Sequence, residues 1–141
     1  MFQAERGDMG HNYRDLIVWQ RAIELAKLVY QVTECFPKHE LYGLAAQVRR
    51  AAVSVPSNIA EGQGRLSRKG FRQFLGQARG SLLELETQIV IARELGYLTQ
   101  EAVQPVFNCS DEVSRLLHGL ITSMSRPEGS SGNWKLETGN S

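Results

Sequence analysis

The sequence predicts an all-α fold, an antiparallel up-down bundle of four helices. Apolar residues recur at steps of three and four in four segments, which is the period of an amphipathic helix. The linkers between these segments are short, so successive helices are expected to be antiparallel neighbours. Hydrophobic residues make up 42% of the 141 residues, which is ordinary for a globular domain and too rich for a disordered chain.

The first helix is expected from about Asp15 to Cys35, with Pro37 ending it. One apolar stripe runs along it, formed by Trp19, Ala22, Ile23, Ala26, Val29, Tyr30 and Thr33. Both cysteines, Cys35 and Cys109, lie in helical patterns and are interpreted as small core residues.

The second helix is expected to start near Leu41, with Pro56 kinking or splitting it. Gly62 and Gly64 are expected to end it, because glycine accepts the left-handed conformation found after helix ends. Its buried face is predicted to contain Leu44, Val48, Ala51, Ala52, Val55 and Ile59.

The third helix follows Ser67, a candidate N-cap, and Gly96 is expected to close it. Thr99 is a candidate cap for the fourth helix, in which Pro105 predicts either a late start or a kink. The third and fourth helices each carry a heptad-like seam, which is typical of bundles. The seams are Phe71, Leu75, Ala78, Leu82, Leu85, Ile89 and Ala92, and Val103, Val106, Ser110, Val113, Leu117, Leu120 and Met124.

The predicted organisation is a flexible N-terminus (1–13), one bundle domain (14–124) and a disordered tail (125–141) that is rich in serine and glycine. No apolar run is long enough to cross a membrane, and the N-terminus lacks the apolar centre of a signal peptide. A cytoplasmic location is therefore expected.

The third helix carries a second face in addition to its core seam. This face is interpreted either as a contact with a second helix of the same bundle or as a subunit interface, and two glycines on it suggest that another backbone comes close. Its members are Gly76, Gly80, Leu83, Thr87 and Val90, with the exposed-looking Ile91 beside them.

Two polar rows leave similar alternatives open. Arg72, Arg79, Glu86 and Arg93 repeat every seven residues beside the core seam and form either a solvated edge or a flank that selects a partner through ion pairs. Arg50, Ser54, Ser57 and Glu61, with Asn58 at their edge, form a solvated face, a polar seam between subunits or the floor of a nucleic-acid surface.

The net charge is only +1, yet the charge is segregated along the chain. From Gln47 to Gly80 seven cations face one acid, a local charge of +6, whereas Ser81 to Glu112 has six acids and one cation. The cations are the candidate nucleic-acid-binding residues: Arg49, Arg50, Arg65, Arg68, Lys69, Arg72 and Arg79.

The sequence predicts no enzyme, metal site or cofactor. His11, His39 and His118 are not at metal-ligand spacing from one another or from cysteines. Glu84 and Glu86 point in different directions on one helix, so they form no obvious acid–base pair. Gly62-Gln63-Gly64-Arg65 lacks the Lys-Ser/Thr of a phosphate-binding loop and follows no predicted strand.

Three runs resemble the 23S rRNA intervening-sequence protein family, also called four-helix-bundle proteins. They are residues 15–22 (DLIVWQRA), 49–62 (RRAAVSVPSNIAEG) and 80–88 (GSLLELETQ). The resemblance covers about Tyr13 to Met124 and implies a bacterial four-helix bundle that assembles into a ring-like homo-oligomer, a pentamer. A related branch comprises accessory proteins of diversity-generating retroelements, which bind nucleic acid and a reverse transcriptase.

The resulting functional hypothesis is a non-enzymatic homo-oligomer that binds the backbone of RNA or DNA through its basic segment. The alternative is a protein-interaction scaffold or accessory subunit, for example of a reverse transcriptase, that does not bind nucleic acid itself. In that case the arginines serve subunit ion pairs or solubility.

Overall fold

The computed structural model describes residues 12–125, which contain four helices and no strand. These are α1 (Ile17–Thr33), α2 (Leu44–Gln63), α3 (Arg68–Glu94) and α4 (Gln100–Met124). Single turns of 3-10 helix, Tyr13–Asp15 and Lys38–Glu40, precede α1 and α2. The proposed termini, 1–13 and 125–141, and with them His11, lie outside the described residues except for Asn12, Tyr13 and Ser125.

Each helix packs against the helices before and after it, and α4 returns to α1. The α2–α3 pair is antiparallel, because Ser54 meets Ser81 while Gly62, two turns later on α2, meets Phe74, two turns earlier on α3. This cyclic order confirms the predicted four-helix bundle. No helix within residues 12–125 is long and apolar enough to span a membrane.

The core seams of α3 and α4 are confirmed, since all fourteen of their predicted residues are buried. The second helix also buries its predicted face, with Leu44 only half-buried. The α1 stripe divides: Trp19, Ala22, Val29 and Thr33 are buried, Ile23 and Ala26 are half-buried, and Tyr30 is 44% exposed. The bundle therefore leaves one edge of the α1 stripe partly uncovered, at Ile23, Ala26 and Tyr30.

The first linker differs from the prediction. The first helix ends at Thr33, so Cys35 lies beyond it and is exposed; its assignment to the core is wrong. The second helix begins at Leu44 rather than Leu41, because Gly43 has a non-helical backbone and the Glu40 carboxylate accepts a hydrogen bond from the Leu44 N–H (2.9 Å). Cys109 is half-buried, with its Sγ 3.6 Å from the Arg21 carbonyl oxygen.

Neither internal proline interrupts its helix. The second helix continues through Pro56, and α4 starts at Gln100, five residues before Pro105. Each proline removes one backbone donor, and packing on both sides keeps the helix intact. The late start considered for α4 and the split considered for α2 are therefore excluded.

The caps of α3 and α4 are confirmed. Ser67 Oγ accepts a hydrogen bond from the Gly70 N–H (3.0 Å), and Thr99 Oγ1 accepts one from the Ala102 N–H (3.1 Å). Gly96 closes α3 with a φ of 83°. The left-handed conformation expected after α2 is absent, since Gly64 has a φ of −79°.

Candidate nucleic-acid interface

Four of the predicted cations lie together where α2 turns into α3. We call Arg65, Arg68, Lys69 and Arg72 the end cluster. Ser67 caps α3 in the middle of it, so the first N–H groups of that helix point out of the same end of the bundle. Between Gly62 and Leu83 the chain contains no acidic residue, and Glu61 is the acid that directly precedes this stretch.

Arg65 stands at the turn and is exposed. Its Nη2 lies 3.2 Å from Glu61 Oε2, and its guanidinium carbon lies 4.5 Å from the centre of the Phe74 ring. The ion pair joins residues four apart and is half exposed on both sides. Such a pair contributes little, so a phosphate can replace Glu61 at small cost.

Arg68 has a different role, because it is half-buried. Its Nη2 donates a hydrogen bond to the Ser123 carbonyl oxygen (2.8 Å) near the end of α4. This contact joins the start of α3 to the end of α4 beside Phe71 and Met124, which line a shallow depression at the same end. Arg68 therefore supports the shape of the end cluster as well as its charge.

Lys69 is exposed and Arg72 is half-buried. Arg79 is exposed and follows Arg72 by seven residues, which places it on the same side of α3 about 10 Å farther along the helix. These three cations extend the basic surface from the end of the bundle along α3.

The structure does not bring Arg49 and Arg50 into this cluster. They lie in the first half of α2, about 20 Å from its C-terminal end. Arg50 is exposed. Arg49 packs on α1, where its Nε donates to Thr33 Oγ1 (2.7 Å) and its guanidinium carbon lies 4.8 Å from the Tyr30 ring centre.

The second face of α3 points away from the bundle. Leu83 is 51% exposed and Ile91 44%, while Gly76, Gly80 and Thr87 are exposed and Val90 is half-buried. A Cβ added at Gly76 or Gly80 meets no atom of the described residues within 4 Å. The interpretation that a second helix of the same bundle covers this face is therefore wrong.

The polar row of α2 is partly a seam within one chain. Ser54 Oγ lies 2.8 Å from Ser81 Oγ of α3, and the Asn58 side chain donates to Ser54 Oγ (2.9 Å). Arg50, Ser57 and Glu61 stay exposed. The α3 row that repeats every seven residues also has partners on α4. Ser110 donates a hydrogen bond to Glu86, and Arg93 donates one to Gln100 (3.0 Å). Half of that row thus contacts α4.

Sequence reasoning missed a groove between α1 and α2. Its floor is made of small side chains, Ala26, Pro56 and Ala60, and its rims carry Ile23, Tyr30 and Val53. Val53 is 43% exposed. The available signal was the α1 stripe itself, which contains more apolar residues than the bundle buries.

The described residues hold no group of three side chains suited to bind a metal. His39 and His118 are both exposed, on a 3-10 turn and on α4. Burial raises the pKa of the Cys109 thiol, which lowers the reactivity of this cysteine. The end cluster provides positive charge and N–H donors, which suit an anion.

Comparison with known proteins identifies the family and finds similar solved structures. Residues 14–119 match the family model described as 23S rRNA-intervening sequence protein. A crystal structure of a protein of unknown function from the S23 ribosomal protein family of Bacteroides thetaiotaomicron is similar, with a TM-score of 0.67 and 24% identity. The alignment covers 74% of this chain and 98% of that one, and supports the fold alone. Among curated proteins none matches.

Proposed function

Because the chain belongs to the 23S rRNA-intervening sequence protein family, we propose that it is a non-enzymatic, homo-oligomeric cytoplasmic protein that binds the backbone of RNA or DNA. The observation that carries this proposal is the end cluster. It gathers four cations within eight residues at the start of α3, with no acid between residues 62 and 83. The cations attract phosphate through their charge, and the free backbone N–H groups at the helix N-terminus can donate hydrogen bonds to it.

The composition of the end cluster favours the backbone over the bases. Phe71, an aromatic residue within it, is buried in the core, and Phe74 is half-buried beneath Arg65. Stacking of bases needs exposed aromatic faces. Contacts with phosphate fix position without reading sequence, so we expect little sequence preference.

Self-association is the second half of the proposal. Leu83 and Ile91 expose about half of their surfaces on one side of α3, and an exposed apolar patch of this kind is typical of an interface. A ring, such as the pentamer that the family resemblance implies, repeats the end cluster around an axis. Several weak phosphate contacts then add up through avidity.

A scaffold or accessory subunit, for example of a reverse transcriptase, is the competing function. One observation favours it: both arginines have partners within the chain. Arg65 contacts Glu61 and the Phe74 ring, and Arg68 donates a hydrogen bond to the Ser123 carbonyl oxygen. In that case the two arginines hold the end of the bundle together and contact no phosphate.

The test is a titration of labelled structured RNA and duplex DNA at two salt concentrations. Binding should weaken by about 0.9 log units per log unit of salt for each duplex phosphate that is neutralised. Alanine at all four positions of the end cluster should weaken binding and flatten this slope while native mass spectrometry shows an unchanged oligomer.

A pair of double variants separates charge from structure. Lys69→Ala/Arg72→Ala removes two cations of the end cluster for which no intrachain partner is seen among residues 12–125. Lys38→Ala/Arg115→Ala removes two exposed cations elsewhere. Equal losses from both pairs indicate general charge attraction alone, and no binding by the wild type at low salt leaves the scaffold function in place.

A further inference from the structure

Two surfaces of the bundle are apolar and uncovered, and they differ in shape. The groove between α1 and α2 is concave, with Ala26, Pro56 and Ala60 at its floor. The outer face of α3 is convex, with Leu83 and Ile91 projecting from it. The groove opens between α1 and α2, and α3 turns this face away from the bundle. One chain therefore cannot use one to cover the other.

The two surfaces have the same length and opposite charges at one end. On α2 the groove is lined by Val53, Pro56 and Ala60. Arg49, four residues before Val53, lies against the rim residue Tyr30 and extends this row, whose steps are four, three and four. On α3 the outer row Leu83, Thr87, Val90 and Glu94 has steps of four, three and four. Each row spans twelve residues, or eleven steps along the helix, about 16 Å.

Arg49 and Glu94, the charged residues at the ends of the two rows, can each form an ion pair with another copy. Two contacts, to Thr33 and Tyr30, hold the Arg49 guanidinium in place, and it forms no ion pair with an acid of residues 12–125. Glu94 is 71% exposed, and among residues 12–125 its one ion pair is with the adjacent Arg93, at 3.5 Å. An exposed pair of this kind contributes little, so Glu94 can change partners at small cost.

We infer that the α3 face of one copy docks into the α1–α2 groove of another, with the two helices antiparallel and Glu94 pairing with Arg49 of the second copy. Val90 then faces Val53, Thr87 faces Pro56 and Leu83 faces Ala60. This inference rests on the proposed self-association and specifies the surfaces that make it.

The contact is head to tail, because its two sides are different surfaces. Every copy keeps one groove and one α3 face available for further copies, so assembly continues until a ring closes. Pairing of α3 with α3 of a second copy would instead leave both grooves open to water.

Cysteine cross-linking distinguishes these arrangements. In a background with Cys35→Ser and Cys109→Ser, the double variant Val53→Cys/Val90→Cys should give a ladder of linked species with a short bismaleimide. The single variants should not cross-link alone, and a mixture of the two should give linked dimers only. Dimers from Val90→Cys alone indicate a symmetric α3 contact and overturn the inference.

Charge reversal tests the register. Arg49→Glu and Glu94→Arg should each weaken assembly at least tenfold, and the double variant Arg49→Glu/Glu94→Arg should restore it. Arg115→Glu and Glu101→Arg, both exposed on α4, are the matched controls and should assemble like the wild type. Circular dichroism should report equal helicity in all variants.

The outcomes separate this inference from the proposed function. An oligomer that shows no Val53–Val90 link and no rescue overturns the docking arrangement and leaves self-association intact. A wild type that is monomeric by native mass spectrometry at micromolar concentration overturns both. A supported docking arrangement without nucleic-acid binding refutes only the binding part of the function.

Discussion

Gly62 is the residue on which the close packing of α2 and α3 depends. A Cβ built at this position lies 2.7 Å from Phe74 Cβ and 3.0 Å from Phe71 Cδ1. The first distance is shorter than carbon atoms tolerate and the second is tight, and Phe74 Cβ is bonded to the backbone, so it cannot rotate away. The absence of a side chain at Gly62, rather than a left-handed backbone, therefore sets how near the two helices come.

Gly62→Ala should destabilise the fold by about 1–3 kcal/mol through overpacking, although alanine in a helix interior normally gains about 1 kcal/mol over glycine. Chemical denaturation gives the difference in unfolding free energy. Gly64→Ala is the control, because its Cβ meets Glu61 O at an ordinary 3.5 Å and its φ is −79°. A Gly62→Ala variant as stable as the wild type contradicts this account.

Individual side chains mark the limit of prediction from sequence. Periodicity identifies the apolar core residues of α3 and α4, since each helix has a continuous seam, but it does not identify the buried Gln88 and Ser123. It cannot place Tyr30 or Cys35, because their exposure depends on where α1 ends and on how much of its surface α2 covers. The position of Arg49 beside Tyr30 and Thr33 likewise depends on the relative position of two helices.

At the scale of elements, a three-part contact fixes the start of α2. The Glu40 carboxylate accepts hydrogen bonds from the Leu44 N–H (2.9 Å) and from the Tyr97 hydroxyl (2.8 Å). Tyr97 belongs to the linker between α3 and α4. Glu40 thus caps one helix and ties it to a distant linker, and no local pattern predicts a contact over 57 residues.

This contact predicts that the free energy of unfolding depends on pH. The hydrogen bond from Leu44 and then that from Tyr97 hold the pKa of Glu40 below its ordinary value. Its contribution to stability is therefore complete above about pH 4.3, the unfolded value, and is lost as the pH falls through the folded pKa. Glu40→Gln should be less stable than the wild type at about pH 6, and the gap should narrow towards about pH 3.

Tyr97→Phe provides the companion measurement. It removes one of the two hydrogen bonds, so its loss of stability should also shrink in acid, by a smaller amount than that of Glu40→Gln. Urea denaturation of the three proteins at both pH values is sufficient. A gap that stays constant or widens in acid shows that the Glu40 carboxylate is not stabilised in the folded state.

Helices and their caps are the best predicted elements, for a physical reason. Ser67 and Thr99 satisfy N–H groups three residues away, so the signal is local in sequence. The prolines are less informative, because the cost of one lost hydrogen bond at Pro56 or Pro105 is outweighed by burial along a helix of 20 or 25 residues.

At the scale of the whole molecule, the candidate site was predicted in part. Charge counting along the sequence found the basic segment, and the end cluster is compact because Arg65, Arg68, Lys69 and Arg72 surround one helix start. The same counting joined Arg49 and Arg50 to it, since one dimension does not show that a helix places them about 20 Å away. The groove between α1 and α2 requires the packed bundle and has no linear signature.

Stability should depend on protein concentration if the α3 face is an interface. Association stabilises the folded state by mass action, so the melting temperature of the wild type should rise with concentration. Leu83→Glu should abolish this dependence. Since Leu83 is 51% exposed in a single copy, the substitution should change the unfolding free energy of the separate bundle by no more than about 0.5 kcal/mol.

The control is Gln104→Glu, which introduces the same charge at an exposed residue of α4, outside the outer face of α3 and outside the groove. It should retain the concentration dependence of the wild type. Differential scanning calorimetry over a hundredfold range of concentration makes the comparison. At the lowest concentration, wild type and Leu83→Glu should melt at nearly the same temperature, because both are then separate bundles. A wild-type melting temperature that stays constant over the whole range contradicts self-association through this face.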